Sequence, residues 1–202
     1  MDIFIKISCL LVAIVLHELS HGLVAYGFGD DSASRAGRLS LNPLKHADPI
    51  GSIILPALLF ITNAPFLIGW AKPVPVNFKQ LRPRAVGTFL VALAGPAMNV
   101  LLALLASILW KIGVLSDTVA IVAIQINVIL ASFNLLPVLP LDGGRMLTCA
   151  LSPDHPVFAF FDRFGLLLII AAFMLFGPFI QAIIFGIAEM IINCIGMLGM
   201  PI

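Results

Sequence analysis

His17-Glu18-Leu19-Ser20-His21 places two imidazoles four residues apart with a carboxylate beside the first. On an α-helix, positions i and i+4 share a face, so both rings can reach one metal ion. Glu18 then sits next to that ion and can take a proton from its water. The alternative is a pair of packed histidines in a polar patch. The setting weighs against it, because the motif interrupts a long apolar run, Ile3–Tyr26. Ionisable groups in a lipid-embedded helix are costly and mark function by default.

A catalytic zinc takes three protein ligands and keeps one position open for water. Position 27, where the longer three-histidine pattern has its third ligand, is Gly27. His46 and His155 fall in loops, where solvated side chains are expected, and Glu189 is the only other glutamate, alone near the C-terminus. Asp142 stands out among the remaining acidic residues. It closes a charge-free stretch, within Asn134-Leu135-Leu136-Pro137-Val138-Leu139-Pro140-Leu141-Asp142-Gly143-Gly144. Two prolines and two glycines bend the backbone there, and lipid tolerates such irregularity only when it is buried in protein or lines a cavity. Taken alone, Asp142 could also be a helix cap at an interface.

The elements that carry these residues are dictated by composition. Hydrophobic residues make up 61% of the 202 and charged ones 10%, with a mean hydropathy of +1.13. Soluble domains hold about 45–50% and about 25%, so a soluble enzyme and a disordered chain are both excluded. A net charge of +1 gives no reason to expect nucleic acid as partner. Cys9, Cys149 and Cys194 lie far apart and read as apolar packing residues. No signal peptide is evident. A membrane crossing needs about 20 apolar residues, and five stretches qualify: Ile3–Tyr26, Val86–Trp110, Thr118–Leu141, Val157–Phe176 and Pro178–Met200. A sixth, Pro49–Ala71, is uncharged but broken by Pro56 and Pro65, as a kinked span or a re-entrant hairpin would be. Gly177-Pro178 is a turn signal between the last two spans. Alternation in Gly37–Asn42 and in Pro73–Val76 predicts short β-like loops, the second confined by its prolines to an edge.

Three motifs, in order, carry a family likeness. HELSH in the first span, AGPAMN (Ala94–Asn99) and FNLLPVLPLDGG (Phe133–Gly144) resemble the site-2 protease family of intramembrane zinc metalloproteases, over about residues 10–150. The compact branch, which lacks a PDZ domain, is the nearer likeness: HELSH lies in the first span and GWAKPVPVN (Gly69–Asn77) follows. The resemblance implies one zinc per chain, held by His17, His21 and Asp142, with Glu18 as catalytic base. It places Asn134 near the substrate, where an interhelical hydrogen bond is the alternative role. Gly95, Pro96 and Asn99 fall in the second motif, with close helix packing as their default explanation.

The expected architecture is an all-α polytopic membrane protein with about five transmembrane helices and one re-entrant or kinked segment. It forms a single domain over 1–202, with a catalytic core at about 3–150 and a C-terminal helical pair at about 157–200. The ligands must meet at one depth. His17 and His21 lie toward the C-terminal end of their span and Asp142 at the C-terminal end of its own, so those two helices should run parallel. That requires Pro49–Ala71 to enter and leave on one side. The same arrangement gathers nine of the eleven Lys and Arg residues on one face, leaving only Lys6 and Lys111 opposite. By the positive-inside rule that face is cytosolic. The reading is therefore hydrolysis of peptide bonds in membrane-embedded substrates, in a prokaryotic plasma membrane, with the site open to the cytosol. Its rival is a zinc transporter or metal-binding membrane protein without proteolytic activity, which would usually show repeated broken helices; no internal repeat is visible.

Overall fold

The computed structural model describes residues 2–54, 61 and 71–197. The elements are α1 (Asp2–Gly27), the single-turn α2 (Ser32–Arg35), α3 (Arg84–Lys111), α4 (Asp117–Asn134), the short α5 (Asp142–Leu147) and α6 (Pro156–Met197). A 3-10 turn at Pro43–Lys45 and a π turn at Pro49–Ile54 lie between α2 and α3. Among the described residues, four helices are long and apolar enough to cross a membrane, which makes the chain an integral membrane protein.

The packing is inverted relative to a soluble bundle. Large apolar side chains such as Phe4, Leu23, Leu101 and Phe185 point outward, where lipid solvates them. The interior is built from small residues: α3 buries Gly87, Ala92, Gly95, Ala103, Ala106 and Ser107. Small side chains let backbones approach closely, which is how membrane helices gain packing energy without a hydrophobic drive. Helix α3 is the hub, touching α1, α4 and α5. It runs antiparallel to α1, since His21 meets Val91 and Ala13 meets Asn99. It is joined to α4 by a tight turn that Trp110 closes by donating to Asp117 at 2.8 Å. Helices α1 and α4 therefore run the same way, as the ligands require.

The interior of Pro49–Ala71 lies largely outside the described residues, but its ends are described. Ala47 and Ala71 form an isolated antiparallel bridge, and the Lys72 N–H donates to the His46 carbonyl at 2.8 Å. The segment thus starts and finishes at one place, as a re-entrant path demands. No strand forms among the described residues, so the alternating loops are extended chain rather than β-sheet. The reason lies in where their donors go. Pro73 and Pro75 have no N–H, the Val74 N–H is held by Glu18, and the Asn77 N–H by Asp30.

The expected break between Val157–Phe176 and Pro178–Met200 is present: α6, described as far as Met197, is two helices joined at Phe176 (φ −125°, ψ 21°), with a kink where the sequence signals a turn. Pro178 removes the hydrogen bond to Met174 and loosens this turn. Packing decides the direction. Phe173 meets Phe133 at the end of α4 (6.2 Å between centroids), while Ala188 and Ile195 join Ile124, Val128, Ala103 and Ala106. The second half of α6 thus returns along α4. The first half stays by the loop after α4, with Gly165 against Pro140 and Phe158 against Arg145. Helix α4 itself stops at Asn134, short of Leu141, because Pro137 and Pro140 cannot continue it.

Candidate metal centre

His17 and His21 stand one turn apart on α1 and face α3 across a contact that Gly95 makes possible. A Cβ at Gly95 would overlap ring atoms of both histidines, so only glycine leaves the rings their place. The Nδ1–H of His21 donates to the Val91 carbonyl at 2.6 Å, and the Nδ1–H of His17 to Asn99 Oδ1 at 2.6 Å. Both partners are acceptors, so in the neutral rings the proton sits on Nδ1 and Nε2 is a bare lone pair.

Those lone pairs converge. The two Nε2 atoms are 3.0 Å apart and lie 3.3 and 3.4 Å from Asp142 Oδ2. With no proton on either Nε2, the 3.0 Å approach is not a hydrogen bond, and three acceptors this close repel. Asp142 Oδ2 is buried and has no hydrogen-bond partner. A cation resolves both facts. Ligand atoms at about 2.0–2.1 Å from a tetrahedral zinc stand roughly 3.4 Å from one another, close to what is found. His17, His21 and Asp142 are also the metal-ligand cluster found among the described residues.

The fold of the chain around Asp142 accounts for its position. Gly143 and Gly144 lie against the backbone of Leu135–Leu136 and Val138–Leu139, where a Cβ at either would overlap main-chain atoms. The loop after α4 can therefore fold back and deliver Asp142 as the first residue of α5. Glu18 shares the same cavity, of about 430 Å³, whose walls include Val74, Val76, Asn134 and Arg145. Its Oε2 accepts from the Val74 N–H at 2.8 Å, which fixes the carboxylate beside His17. Asn134 lines the cavity with its amide donating to the Leu130 carbonyl, 3.0 Å away. The Arg145 guanidinium is stacked between Phe78 and Phe158, 4.7 and 4.4 Å from their centroids.

Other candidates fall elsewhere. His46 is not solvated, as its loop position suggests, but 2% exposed, its Nε2–H donating to the Ser40 carbonyl at 2.8 Å. It anchors the loop where Lys72 returns and lies outside the converging donor set found among the described residues. His155 is exposed, accepting from the Val157 N–H. Glu189 is exposed on α6. Three contributors escape the sequence reading: Asn99 as partner of His17, Asn127 behind it, and Asp30. The buried Asp30 carboxylate takes the N–H groups of Ser32 and Asn77, at 2.9 and 2.6 Å, and staples the exit of α1 to the cavity wall. Asn127 carried a readable signal, a polar residue within an apolar span.

Residues 107–176 match peptidase family M50. The chain is 38% identical over 156 residues to "Putative zinc metalloprotease YwhC" of Bacillus subtilis (strain 168), covering 71% of the chain and 68% of that protein. The chain belongs to peptidase family M50. A second member, "Putative zinc metalloprotease Rip2" of Mycobacterium tuberculosis (strain ATCC 25618 / H37Rv), is 30% identical over 195 residues, 93% of the chain and 72% of the relative. Against the protein of the same name from Mycolicibacterium smegmatis (strain ATCC 700084 / mc(2)155), identity is 32% over 151 residues, 71% of the chain but only 56% of the relative. No solved structure gives a significant match. Membership in M50 bears out the resemblance read from HELSH and FNLLPVLPLDGG and makes the chain a metalloprotease by family.

Proposed function

We propose that this M50 peptidase is a zinc endopeptidase that cleaves membrane-embedded protein substrates, with Glu18 as general base and one zinc per chain. The observation that carries the reading is the placement of Glu18. Its carboxylate is tethered to the Val74 N–H in the same cavity as a converging His17–His21–Asp142 donor set. Bound there, zinc would supply Lewis acidity to a water and to the scissile carbonyl. His17, His21 and Asp142 would hold the ion from one side and leave the cavity side open. Glu18 would take the water's proton and pass it to the leaving amine, as a carboxylate lining the same cavity can do. The extended Lys72–Asn77 chain runs along the cavity, and an unwound substrate strand would lie against it, as peptides do on exposed edges. The site-bearing ends of α1 and α4 share a face with the basic loops. Under the positive-inside rule that face is cytosolic in a prokaryotic plasma membrane.

Glu18→Gln tests the reading in purified protein with a transmembrane substrate. Glutamine can still accept from the Val74 N–H, so fold and zinc content should persist while cleavage falls by at least about 10²–10⁴-fold. A transporter would keep moving zinc in this variant. A purely structural subunit would show neither zinc nor cleavage in the wild type. Wild-type cleavage by Glu18→Gln would remove Glu18 from the role.

A further inference from the structure

The tautomer of His17 is held less directly than that of His21. His21 donates to a backbone carbonyl, which can only accept. His17 donates to the side-chain amide of Asn99, and an amide has a donating end as well as an accepting one. Turned by 180°, Asn99 would offer N–H to Nδ1 and drive the His17 proton onto Nε2, the atom that must ligate. Something must therefore fix which end of Asn99 faces α1.

The next helix supplies it. Asn99 Nδ2 donates to Asn127 Oδ1 at 2.9 Å, and Asn127 Nδ2 donates to the Ala123 carbonyl at 2.9 Å, one turn back on α4. A longer contact from Asn99 Nδ2 to the Ala13 carbonyl, at 3.4 Å, points the same way. The polarity is imposed from the backbone outward: the Ala123 carbonyl orients Asn127, Asn127 orients Asn99, and Asn99 orients His17. Asn99 is fully buried and Asn127 is 4% exposed, so water is poorly placed to substitute, and an inverted amide would leave like ends facing each other at considerable cost.

We propose that Asn127 is a positioning residue of the metal centre, setting the ligating tautomer of His17 through Asn99 from a different helix. Outer partners of a histidine ligand typically change metal affinity by about 10–100-fold. The test is zinc affinity by chelator competition on the purified full-length chain, with cobalt-substituted protein giving the ligand-field spectrum as a second readout. Asn99→Leu, close to asparagine in shape but unable to accept, should bind zinc about 10–100-fold more weakly. Asn99→Asp offers His17 an acceptor whichever way Asn127 turns, so it should weaken zinc less than Asn99→Leu does. Asn127→Leu, which leaves every contact to His17 in place, should weaken zinc about tenfold and shift the cobalt spectrum.

Wild-type affinity and spectrum in a folded Asn127→Leu protein would overturn the relay, as would equal losses in Asn99→Asp and Asn99→Leu. Should Asn127→Leu fail to fold, ¹⁵N-histidine spectra of the zinc-free wild-type chain decide the matter: a neutral His17 with its proton on Nε2 rather than Nδ1 refutes it. The inference rests on His17 being a zinc ligand. A wild-type chain that holds no zinc would refute that reading, whereas wild-type zinc binding by the Asn127 variant refutes only the relay.

Discussion

Gly95→Ala adds a single methyl group to the most crowded point of the site. Built on the existing backbone, its Cβ would stand 2.5 Å from His17 Nε2 and closer still to His17 Cε1 and His21 Nε2, where ordinary contact begins at 3.4 Å. Both rings must retreat by about 1 Å, or the two helices must part by a similar distance. Metal–ligand distances hold within about 0.2 Å, so a shift of that size takes a histidine out of the coordination shell. Zinc should bind at least about 100-fold more weakly, equivalent to about 2.7 kcal/mol. Gly186→Ala is the control. It lies within α6 with nothing within 4 Å of its Cβ, so it should be neutral or gain the roughly 0.5–1 kcal/mol that alanine offers over glycine in a helix. Zinc affinity by chelator competition and melting temperature in detergent, measured on both variants, separate site damage from fold damage. A folded Gly95→Ala protein with wild-type zinc affinity would mean that the rings do not stand against α3 as described.

Ala substitution of His17, His21 or Asp142 should lower zinc from one ion per chain, measured by elemental analysis, while His155→Ala should not. His46→Ala should retain zinc yet lower the melting temperature, because it empties a buried site that ties two loops together. Single cysteines at Ser34 and Asn77, in an active variant lacking Cys9, Cys149 and Cys194, should label from one face with a membrane-impermeant reagent, and one at Ser116 from the other; opposite labelling of Ser34 and Asn77 would make Pro49–Ala71 a true span. Asp30→Ala should destabilise by about 1–3 kcal/mol by leaving two backbone N–H groups unpaired, read as an earlier thermal transition.

What the sequence revealed depended on the range of the interaction. The two histidines and Glu18 could be read at once because helical spacing alone puts the rings on one face. The parallel course of α1 and α4 followed from requiring ligands to meet at one depth, and the paired ends at Ala47 and Ala71 agree with it. Asp142 needed the family likeness, since its approach depends on Gly143 and Gly144 lying against a folded-back loop, which no periodicity announces. The Asn99–Asn127 pair depends on the register between two helices, a quantity that neither helix encodes by itself. His46 looked solvated because loops usually are, and only the return of Lys72 beside it buries the ring. At Gly177-Pro178 the sequence announced a break correctly. Whether the chain then reversed or carried on was decided by what Phe173 and Ala188 could pack against.

The centre is assembled from residues 17, 99 and 142, and this dictates an order of events during synthesis. Helix α1 enters the bilayer before α3 and α4, carrying two imidazoles and a carboxylate whose partners lie on later elements. Val91 and Asn99 are made some seventy to eighty residues later, and Asp142 later again. An ionised carboxylate inside a membrane helix is costly unless it is paired. The nascent α1 is therefore a poor lodger in lipid by itself. It gains its partners only when α3 folds back against it, and the third ligand only after α4 has crossed. A metal held by all three residues could be captured only after residue 142 has been made, while α6 is still to come. A ribosome stalled before residue 142 would expose a membrane-inserted chain with two of its three ligands and no completed site.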